Sequence, residues 1–271
     1  MKFDKRIGII GIGKMGEALI SGLIRSKLID PSKVGVSDIN LERKEYISAK
    51  YSVTCYPETD DLINNSDIVV IAVKPRDMKT VLDDIKAQLK PKHLLISIAA
   101  GISTSFILRH LQKNISLIRA MPNSPCMIGE GMTVLAPLPG TSIEHIQYAK
   151  EIFCSVGKVL LLDEEHLNAV TGLSGSGPAY VYLFIEALTA GGMKVGLPEK
   201  VALILSTQTL YGSSKMLLET GESPKKLKGL VATPGGTTVS GLTELEIGNV
   251  KASIISAVEK ATQRARQLGI E

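Results

Sequence analysis

The sequence has no tryptophan, few other aromatic residues and little excess charge, and each shortage excludes a class of partner. Only 4% of the 271 residues are aromatic, too few for the stacking platforms that bind single-stranded nucleic acids. The net charge is only +4, and lysines and arginines are scattered among acidic residues, so the chain lacks the basic stripe that tracks a phosphate backbone. We therefore expect no nucleic-acid partner.

Cysteine and long apolar runs are also scarce. Cys55, Cys126 and Cys154 are far apart and form neither a CxxC pair nor a Cys/His ligand pattern, which predicts reduced, packed thiols and no metal site. No run approaches the roughly 18 apolar residues of a membrane span, so we expect no membrane partner. The first apolar run follows Met1–Arg6 directly and contains glycine, unlike a signal peptide. These features predict a cytoplasmic protein.

The N-terminal half carries a dinucleotide-binding fingerprint in its required context. The apolar run Arg6–Ile10 leads into the glycine turn (Gly11–Gly16), and apolar residues at helical spacing follow. The first glycine of such a turn permits the bend, the second lets the backbone approach the pyrophosphate, and the third lets the helix pack on the strand. A second predicted strand ends in an acid, Asp38, roughly 20 residues beyond the fingerprint. We assign cofactor binding here to Gly11, Ile12, Gly13, Lys14, Met15, Gly16, Ser37 and Asp38.

The identity of residue 38 favours one of the two nicotinamide cofactors. The carboxylate of Asp38 accepts a hydrogen bond from a ribose hydroxyl and repels a 2′-phosphate, which favours NADH. Arg43 and Lys44 follow on the next predicted helix, and Ser37 offers a hydroxyl to a phosphate. These neighbours leave NADPH open as the alternative.

Strands and helices alternate up to Asp163 in the βαβ manner, which predicts a doubly wound, Rossmann-type α/β sheet for residues 1–163. Its predicted elements include a buried strand at Ile68–Val73 and helices at Asp77–Leu89 and Ile143–Cys154. Beyond that point the β pattern stops. Three long helical windows follow, Ala179–Val195, Glu199–Thr220 and Lys251–Leu268. They predict an all-α domain for residues 164–271.

These helices are apolar on more faces than one small bundle buries, so we expect them to form a dimer. Packing of the same faces on the N-terminal domain of the same chain is the alternative that periodicity leaves open.

Candidate cofactor contacts also follow the predicted strands, because the ligand of an open α/β sheet lies beyond the carboxyl ends of its strands. They are Ala72-Val73-Lys74-Pro75, Ala99 and Asn123. Pro75 forces an extended backbone at Lys74, the small side chain of Ala99 leaves room for a flat ring, and Asn123 offers hydrogen bonds to a nicotinamide or a substrate. A solvated loop lysine is the alternative for Lys74.

A stretch rich in glycine and threonine interrupts the helical half. We call Thr233-Pro234-Gly235-Gly236-Thr237-Thr238 the donor turn, because it exposes N–H and hydroxyl groups at the start of a predicted helix, Val239–Ile247. Amide donors at the positive end of a helix suit a small carboxylate. The alternative is an ordinary Pro-Gly turn with a threonine as the N-cap.

Five motifs, in their order, resemble pyrroline-5-carboxylate reductases, and the resemblance runs nearly end to end. They are Gly11-x-Gly13-x-Met15-Gly16, Ala72-Val73-Lys74-Pro75, Met121-Pro122-Asn123, Leu173-Ser174-Gly175-Ser176-Gly177-Pro178-Ala179-Tyr180 and the donor turn. The first is shared by many reductases, whereas the last two are specific to this family. The resemblance implies hydride transfer from NAD(P)H to the C=N bond of 1-pyrroline-5-carboxylate, giving L-proline in the last step of proline biosynthesis. It also implies a cytoplasmic homodimer, often assembled into a homodecamer.

The resemblance further implies the roles of the donor-turn residues. Thr238 lies against the ring nitrogen and delivers or relays its proton, and the amides of Gly236 and Thr237 take the carboxylate beside Thr233 and Val231. A protonated cyclic imine is already a good electrophile, so a neutral hydroxyl suffices as the acid and proximity to the nicotinamide supplies the main acceleration. The histidines lie outside all the motifs, and we expect them at exposed positions: His93, His110, His145 and His166.

The fourth motif also has a purely structural interpretation. Ser174-Gly175-Ser176-Gly177-Pro178 is interpreted as the capped start of a long helix, with Ser174 or Ser176 as the cap.

Two alternative functions remain open at this point. A β-hydroxyacid dehydrogenase with Lys194 as its catalytic lysine is the first, although the donor turn is foreign to that pattern. A non-enzymatic cofactor sensor is the second, because a dinucleotide fold alone does not establish turnover.

Overall fold

The computed structural model describes residues 3–268, so residues 1–2 and 269–271 of the two predicted domains lie outside the described residues. The strands within this range are β1 (Ile7–Ile10), β2 (Val34–Ser37), β3 (Thr54–Cys55), β4 (Ile68–Ile71), β5 (Leu94–Ser97), β6 (Ser116–Met121), β7 (Gly131–Pro137) and β8 (Gly157–Leu161). The helices are α1 (Lys14–Arg25), α2 (Leu41–Tyr51), α3 (Thr59–Asn64), α4 (Met78–Ile85), α5 (Thr104–Leu111), α6 (Ile143–Cys154), α7 (Leu167–Val170), α8 (Gly177–Lys194), α9 (Glu199–Thr220), α10 (Pro224–Val231), α11 (Thr237–Ile247) and α12 (Val250–Leu268).

The strands form one sheet in the order β3-β2-β1-β4-β5-β6-β7-β8. Neighbouring strands are parallel except for the β6–β7 pair, which is antiparallel. In the register of the central strands, Ile9 pairs with Val36 on one side and with Val70 on the other. The chain order therefore reverses across β1, and the carboxyl end of β1 is the topological switch point at which α/β sheets bind their ligands.

Both faces of the sheet are covered by helices. Alternate residues of β4 point to opposite sides: Ile68 and Val70 belong to one apolar cluster and Val69 and Ile71 to another. The first cluster includes buried residues of α1, α2 and α6, and the second includes residues of α3, α4 and α5. A strand buried on both faces reads as a continuous apolar run, so the predicted doubly wound sheet is confirmed.

Most predicted boundaries are close to the observed ones, with three differences. The strand predicted for Ile68–Val73 ends at Ile71, and the helix predicted for Asp77–Leu89 covers only α4, after a 3-10 turn at Pro75–Asp77. Three short helices, α3, α7 and α10, were not predicted. The predicted helices Ile143–Cys154 and Glu199–Thr220 coincide with α6 and α9.

The described residues form two compact units, one of residues 3–176 with 260–268 and the other Gly177–Glu259. The domain boundary predicted at residue 163 stays a prediction. In the second unit α8 packs on α9, yet only Ala202 and Ser206 are buried within it. Leu183, Leu218 and Ile247 are 63%, 67% and 68% exposed. Among residues 3–268, none of the helices combines the length and apolar character needed to cross a membrane.

Candidate active site

The glycine turn joins β1 to α1 at the switch point, and its three glycines differ in what surrounds them. Gly11 has a φ of +88°, and a Cβ atom there would lie 2.8 Å from the carbonyl oxygen of Ala72. A Cβ atom on Gly16 would overlap the carbonyl oxygen of Gly11. Around Gly13 no described atom lies within 4 Å of the Cβ position. The fold itself requires two of the glycines, whereas the space beside the third is open to a ligand.

The peptide group of Ile12, inside this turn, is held from two sides. Its N–H donates to Oδ2 of Asp38 at 2.8 Å, and its carbonyl oxygen accepts from Nε of Arg43, also at 2.8 Å. Asp38 thus lies directly beside the glycine turn, as its position after β2 predicts. Ser37 is buried, and its hydroxyl lies 3.4 Å from the hydroxyl of Thr59. Cofactor binding by Ser37 stays a prediction.

The other predicted strand ends lie at the same edge of the sheet. Ala72–Pro75 follow β4, Ala99 follows β5 and Asn123 follows β6, and these strands run parallel to β1. The backbone of Lys74 is extended, with φ −67° and ψ 150°, as the proline after it predicts, and the side chain is exposed. The structure therefore brings the glycine turn, Asp38 and these strand ends to one edge.

Asn123 is engaged within the protein. Its Oδ1 accepts from the amide of Met132 at 2.8 Å, and its Nδ2 donates to the carbonyl oxygen of Ser174 at 3.1 Å. The side chain thereby ties the end of β6 to β7 and to the segment before α8. A contact with the nicotinamide or the substrate stays a prediction, and it would use the second hydrogen of Nδ2.

The segment before α8 is a turn of π-helix, Thr171–Gly175, which the sequence does not predict. The hydroxyl of Ser174 donates to the carbonyl oxygen of Val170, and that of Ser176 donates to the carbonyl oxygen of Thr171. Both hydroxyls are engaged with the turn that precedes them, and the capping of α8 by either serine stays a prediction. Single turns of π-helix are frequent at functional sites.

The donor turn connects α10 to α11. Gly235 has a φ of +72°, and the amide of Gly236 donates to the carbonyl oxygen of Thr233 at 3.0 Å. The N-cap of α11 is Gly236 without a side-chain hydrogen bond, so the alternative of a threonine N-cap is wrong. Because α11 begins at Thr237, the amides of Thr237 and Thr238 have no hydrogen-bond acceptor among the described residues. They are the free donors at this helix end.

The histidines lie outside these segments, but of the four predicted to be exposed only His166 is exposed. His110 and His145 are half-buried, and His93 is buried. This ring is 1% exposed, and its Nδ1 accepts from the amide of Lys90 at 3.1 Å. Burial, together with the nearby Lys92 and Lys90, lowers the pKa of His93. His93 is a neutral structural side chain that closes a turn before β5.

The sequence does not predict an ion pair between the buried Arg119 of β6 and the half-buried Glu164. Glu164 accepts from the amide of Thr104 at 2.7 Å, from the Thr104 hydroxyl, and from Nη1 of Arg119 at 2.9 Å. Burial raises the pKa of Glu164, but the bonds from Thr104 and Arg119 outweigh it and leave that pKa below its usual range. The pair joins β6 to the start of α5. Its sequence signal is an arginine inside the apolar strand 116–121.

Two family models match separate segments of the chain. Residues 164–268 match the family described as pyrroline-5-carboxylate reductase dimerisation, and residues 6–101 match NADP oxidoreductase coenzyme F420-dependent. The chain is 40% identical to the pyrroline-5-carboxylate reductase of Glycine max, with 97% of this chain and 95% of the relative covered.

Solved structures are similar over the whole chain. The pyrroline-5-carboxylate reductase of Coxiella burnetii has a TM-score of 0.91 at 34% identity, covering 97% of this chain and 98% of the other. The Plasmodium falciparum pyrroline carboxylate reductase, solved with NADP bound, has a TM-score of 0.90 at 30% identity and covers 99% and 100%. The chain belongs to the pyrroline-5-carboxylate reductase family.

Membership in the pyrroline-5-carboxylate reductase family makes the chain an oxidoreductase that uses a nicotinamide cofactor and associates with itself. The dehydrogenase and sensor interpretations are thereby set aside, and Lys194 is an exposed residue in the last turn of α8. The residues also fit such a cofactor. The open space beside Gly13 and the start of α1 suit a pyrophosphate, and the Asp38 carboxylate lies next to them.

Proposed function

We propose that this chain reduces 1-pyrroline-5-carboxylate to L-proline with a nicotinamide dinucleotide, as the last step of proline biosynthesis in the cytoplasm. The observation that carries the proposal is the donor turn, which leaves two amides free at the start of α11 in a chain that also carries the glycine turn. A carboxylate site and a dinucleotide site in one chain are what this reduction requires. Three free thiols, Cys55, Cys126 and Cys154, support a reducing compartment.

The donor turn would hold the substrate by its carboxylate. The amides of Thr237 and Thr238 are available, with the positive end of α11 behind them. The Gly236 amide is engaged with Thr233 in this structure, so its predicted role requires that this bond open. Thr233 and Val231, the last residue of α10, are exposed beside the turn and would line the site.

Thr238 would act as the proton donor to the ring nitrogen. Its hydroxyl makes no hydrogen bond to another described residue, and it stands in the first turn of α11 beside the two free amides. When bound, the reduced nicotinamide supplies the hydride. With the hydride on the imine carbon, the proton of the Thr238 hydroxyl on the ring nitrogen would complete the amine, and solvent water would return a proton to the Thr238 oxygen. The chain would thus contribute orientation and this one proton.

The cofactor proposed is NADH in preference to NADPH. Asp38 presents a carboxylate at the end of β2, beside the glycine turn, where a 2′-phosphate would meet a like charge. Lys14, Met15 and Gly16 in the first turn of α1, and Ala72–Pro75, Ala99 and Asn123 at the strand ends, would hold the remainder of the cofactor.

The test of this function is turnover. Purified protein given 1-pyrroline-5-carboxylate should oxidise NADH and form proline in equal amounts, with kcat/KM higher for NADH than for NADPH. A panel of 3-hydroxy acids with oxidised cofactor is the control and should give no reaction. Binding of the cofactor without proline formation would refute the proposed function, and a higher kcat/KM for NADPH would refute only the preference.

We further propose that residues 164–271 form the dimerisation and substrate-binding domain of a homodimer, which assembles further into a homodecamer. The exposed apolar side chains of α8, α9 and α11 support the dimer, since monomeric proteins rarely expose large contiguous apolar patches. In such a dimer, Thr238 of one protomer would face the nicotinamide bound by its partner.

A hybrid experiment tests this shared site. A Gly13→Val chain, blocked for cofactor, and a Thr238→Ala chain should each be nearly inactive, whereas mixing them with subunit exchange should restore part of the activity. The reason is that half of the sites in a hybrid combine an intact cofactor half with an intact Thr238. Folded hybrids with no recovered activity would contradict the shared site, and a fully active monomer in light scattering would contradict the dimer.

A further inference from the structure

The first cationic residue after β2 in the sequence is held by an acidic residue on another helix. Arg43, in the first turn of α2, donates through Nε to the carbonyl oxygen of Ile12 at 2.8 Å and through Nη2 to Oε2 of Glu17 on α1. The side chains of Arg43 and Glu17 are 28% and 21% exposed. Arg43 also lies over the ring of Tyr46, 5.1 Å from its centroid. Its guanidinium is therefore directed toward α1.

Glu17 is itself fixed in place by two further donors. Its Oε1 accepts from Nζ of Lys50 at 2.9 Å and from the hydroxyl of Tyr51 at 3.0 Å, both on α2. Partial burial raises the pKa of Glu17, but the bonds from Lys50, Arg43 and Tyr51 outweigh it and lower that pKa to about 2. The carboxylate thus remains charged at any working pH and keeps its hold on Arg43.

This arrangement bears on the charge that a cofactor's ribose would meet. An arginine near the end of the second strand is what accommodates a 2′-phosphate in this kind of fold. Arg43 is five residues beyond Asp38, and both side chains bind the same peptide group, that of Ile12. The Arg43 guanidinium is paired with Glu17, whereas the Asp38 carboxylate accepts from the amides of Ile12 and Asn40 and has no cationic partner among the described residues. The charge beside the turn that has no opposite partner is therefore negative, and it repels a phosphate.

We propose that Glu17 is a positioning residue for cofactor specificity: by holding Arg43 on α1, it sets the preference for NADH over NADPH. Glu17 need not touch the cofactor to do so. The proposal deepens the function argued above and rests on its preference for NADH. The preference for NADH would then depend on a residue of α1 as well as on the end of β2.

The decisive variant is Glu17→Gln, which removes the charge and keeps an oxygen for Lys50 and Tyr51. The released guanidinium should reach a 2′-phosphate, so the ratio of kcat/KM for NADPH to that for NADH should rise about tenfold, the scale of one charge-assisted hydrogen bond. The change should appear in KM for NADPH with kcat nearly constant. Glu42→Gln is the matched control, because Glu42 is an exposed acid beside Arg43 on α2 that makes no bond to it, and the ratio should stay as in the wild type.

The double variant Glu17→Gln/Arg43→Ala tests whether the effect passes through Arg43. It should lose the gain in NADPH use, because no guanidinium remains to be released. Calorimetric titration with adenosine 2′,5′-bisphosphate and with ADP gives a readout independent of turnover, and Glu17→Gln should tighten the first and leave the second nearly unchanged. Thermal unfolding of each variant shows whether it is folded.

Several results would overturn the inference. They are an unchanged ratio in Glu17→Gln, an equal loss for both nucleotides, and a gain that persists in the double variant. A wild-type enzyme that forms proline but prefers NADPH would overturn the inference together with the NADH preference, and leave the reduction itself intact. A wild type that forms no proline refutes the proposed function, and the titrations still decide the role of Glu17.

Discussion

Thr238→Ala is expected to lower kcat by roughly 10- to 10⁴-fold, the range between a lost hydrogen bond and a lost proton donor. The hydroxyl of Thr238 makes no hydrogen bond to another described residue and stands in the first turn of α11, beside the two free amides. Thr238→Ser should retain much of the rate, because it keeps the hydroxyl. Steady-state kinetics with saturating cofactor measure both.

Thr243→Ala is the matched control for this variant. Thr243 lies further along the same helix, and its hydroxyl donates to the carbonyl oxygen of Val239, so its loss should leave kcat nearly unchanged. Wild-type activity in Thr238→Ala would show that the proton comes from water or from another group.

Alanine at Gly16 and alanine at Gly13 are expected to fail for opposite reasons. A Cβ atom on Gly16 overlaps the backbone of Gly11, so Gly16→Ala should cost about 1–3 kcal/mol of stability through overpacking and lower Tm. The position beside Gly13 is open, so Gly13→Ala should keep the wild-type Tm. It should nevertheless lower kcat/KM for NADH about 10²-fold, because a displacement of the pyrophosphate misplaces the nicotinamide.

Calorimetry and kinetics on the two variants separate these effects. Equal Tm losses for both would mean that the space beside Gly13 is needed by the fold and not by a ligand. A Gly13→Ala enzyme with normal kcat/KM would remove this residue from the cofactor site.

The parts of the fold that the sequence predicted well carry local signals. The boundaries of α6 follow from Ser142, whose side chain accepts from the amide of His145 as an N-cap. The predicted end of α9 coincides with the observed one because Gly221 follows in the left-handed conformation, with φ +66°. The glycine turn can likewise be recognised in the sequence, because its steric demands act within a few residues. Local signals of this kind can be recognised in a single sequence.

The parts that were missed depend on length or on distant contacts. The helix α3 has six residues, too few to show a helical period. The bonds of Asn123 to Met132 and to Ser174, 51 residues away, were not predicted, because nothing near Asn123 in the sequence marks these partners. His93 has the composition of an exposed loop residue, but the packing of the fold buries its ring, whose Nδ1 accepts from the amide of Lys90. Such tertiary pairings override local preference.

Because the second unit exposes apolar helices, we expect the stability of the protein to depend on its concentration. Only two side chains of residues 177–259 are buried in the single chain, so most of the hydrophobic free energy of this unit becomes available only on assembly. Tm should then rise with protein concentration, as it does when association and folding are linked. On dilution the helical unit loses its supporting contacts before the sheet does, and with them the geometry of the donor turn. We therefore expect specific activity, like Tm, to fall as the protein is diluted.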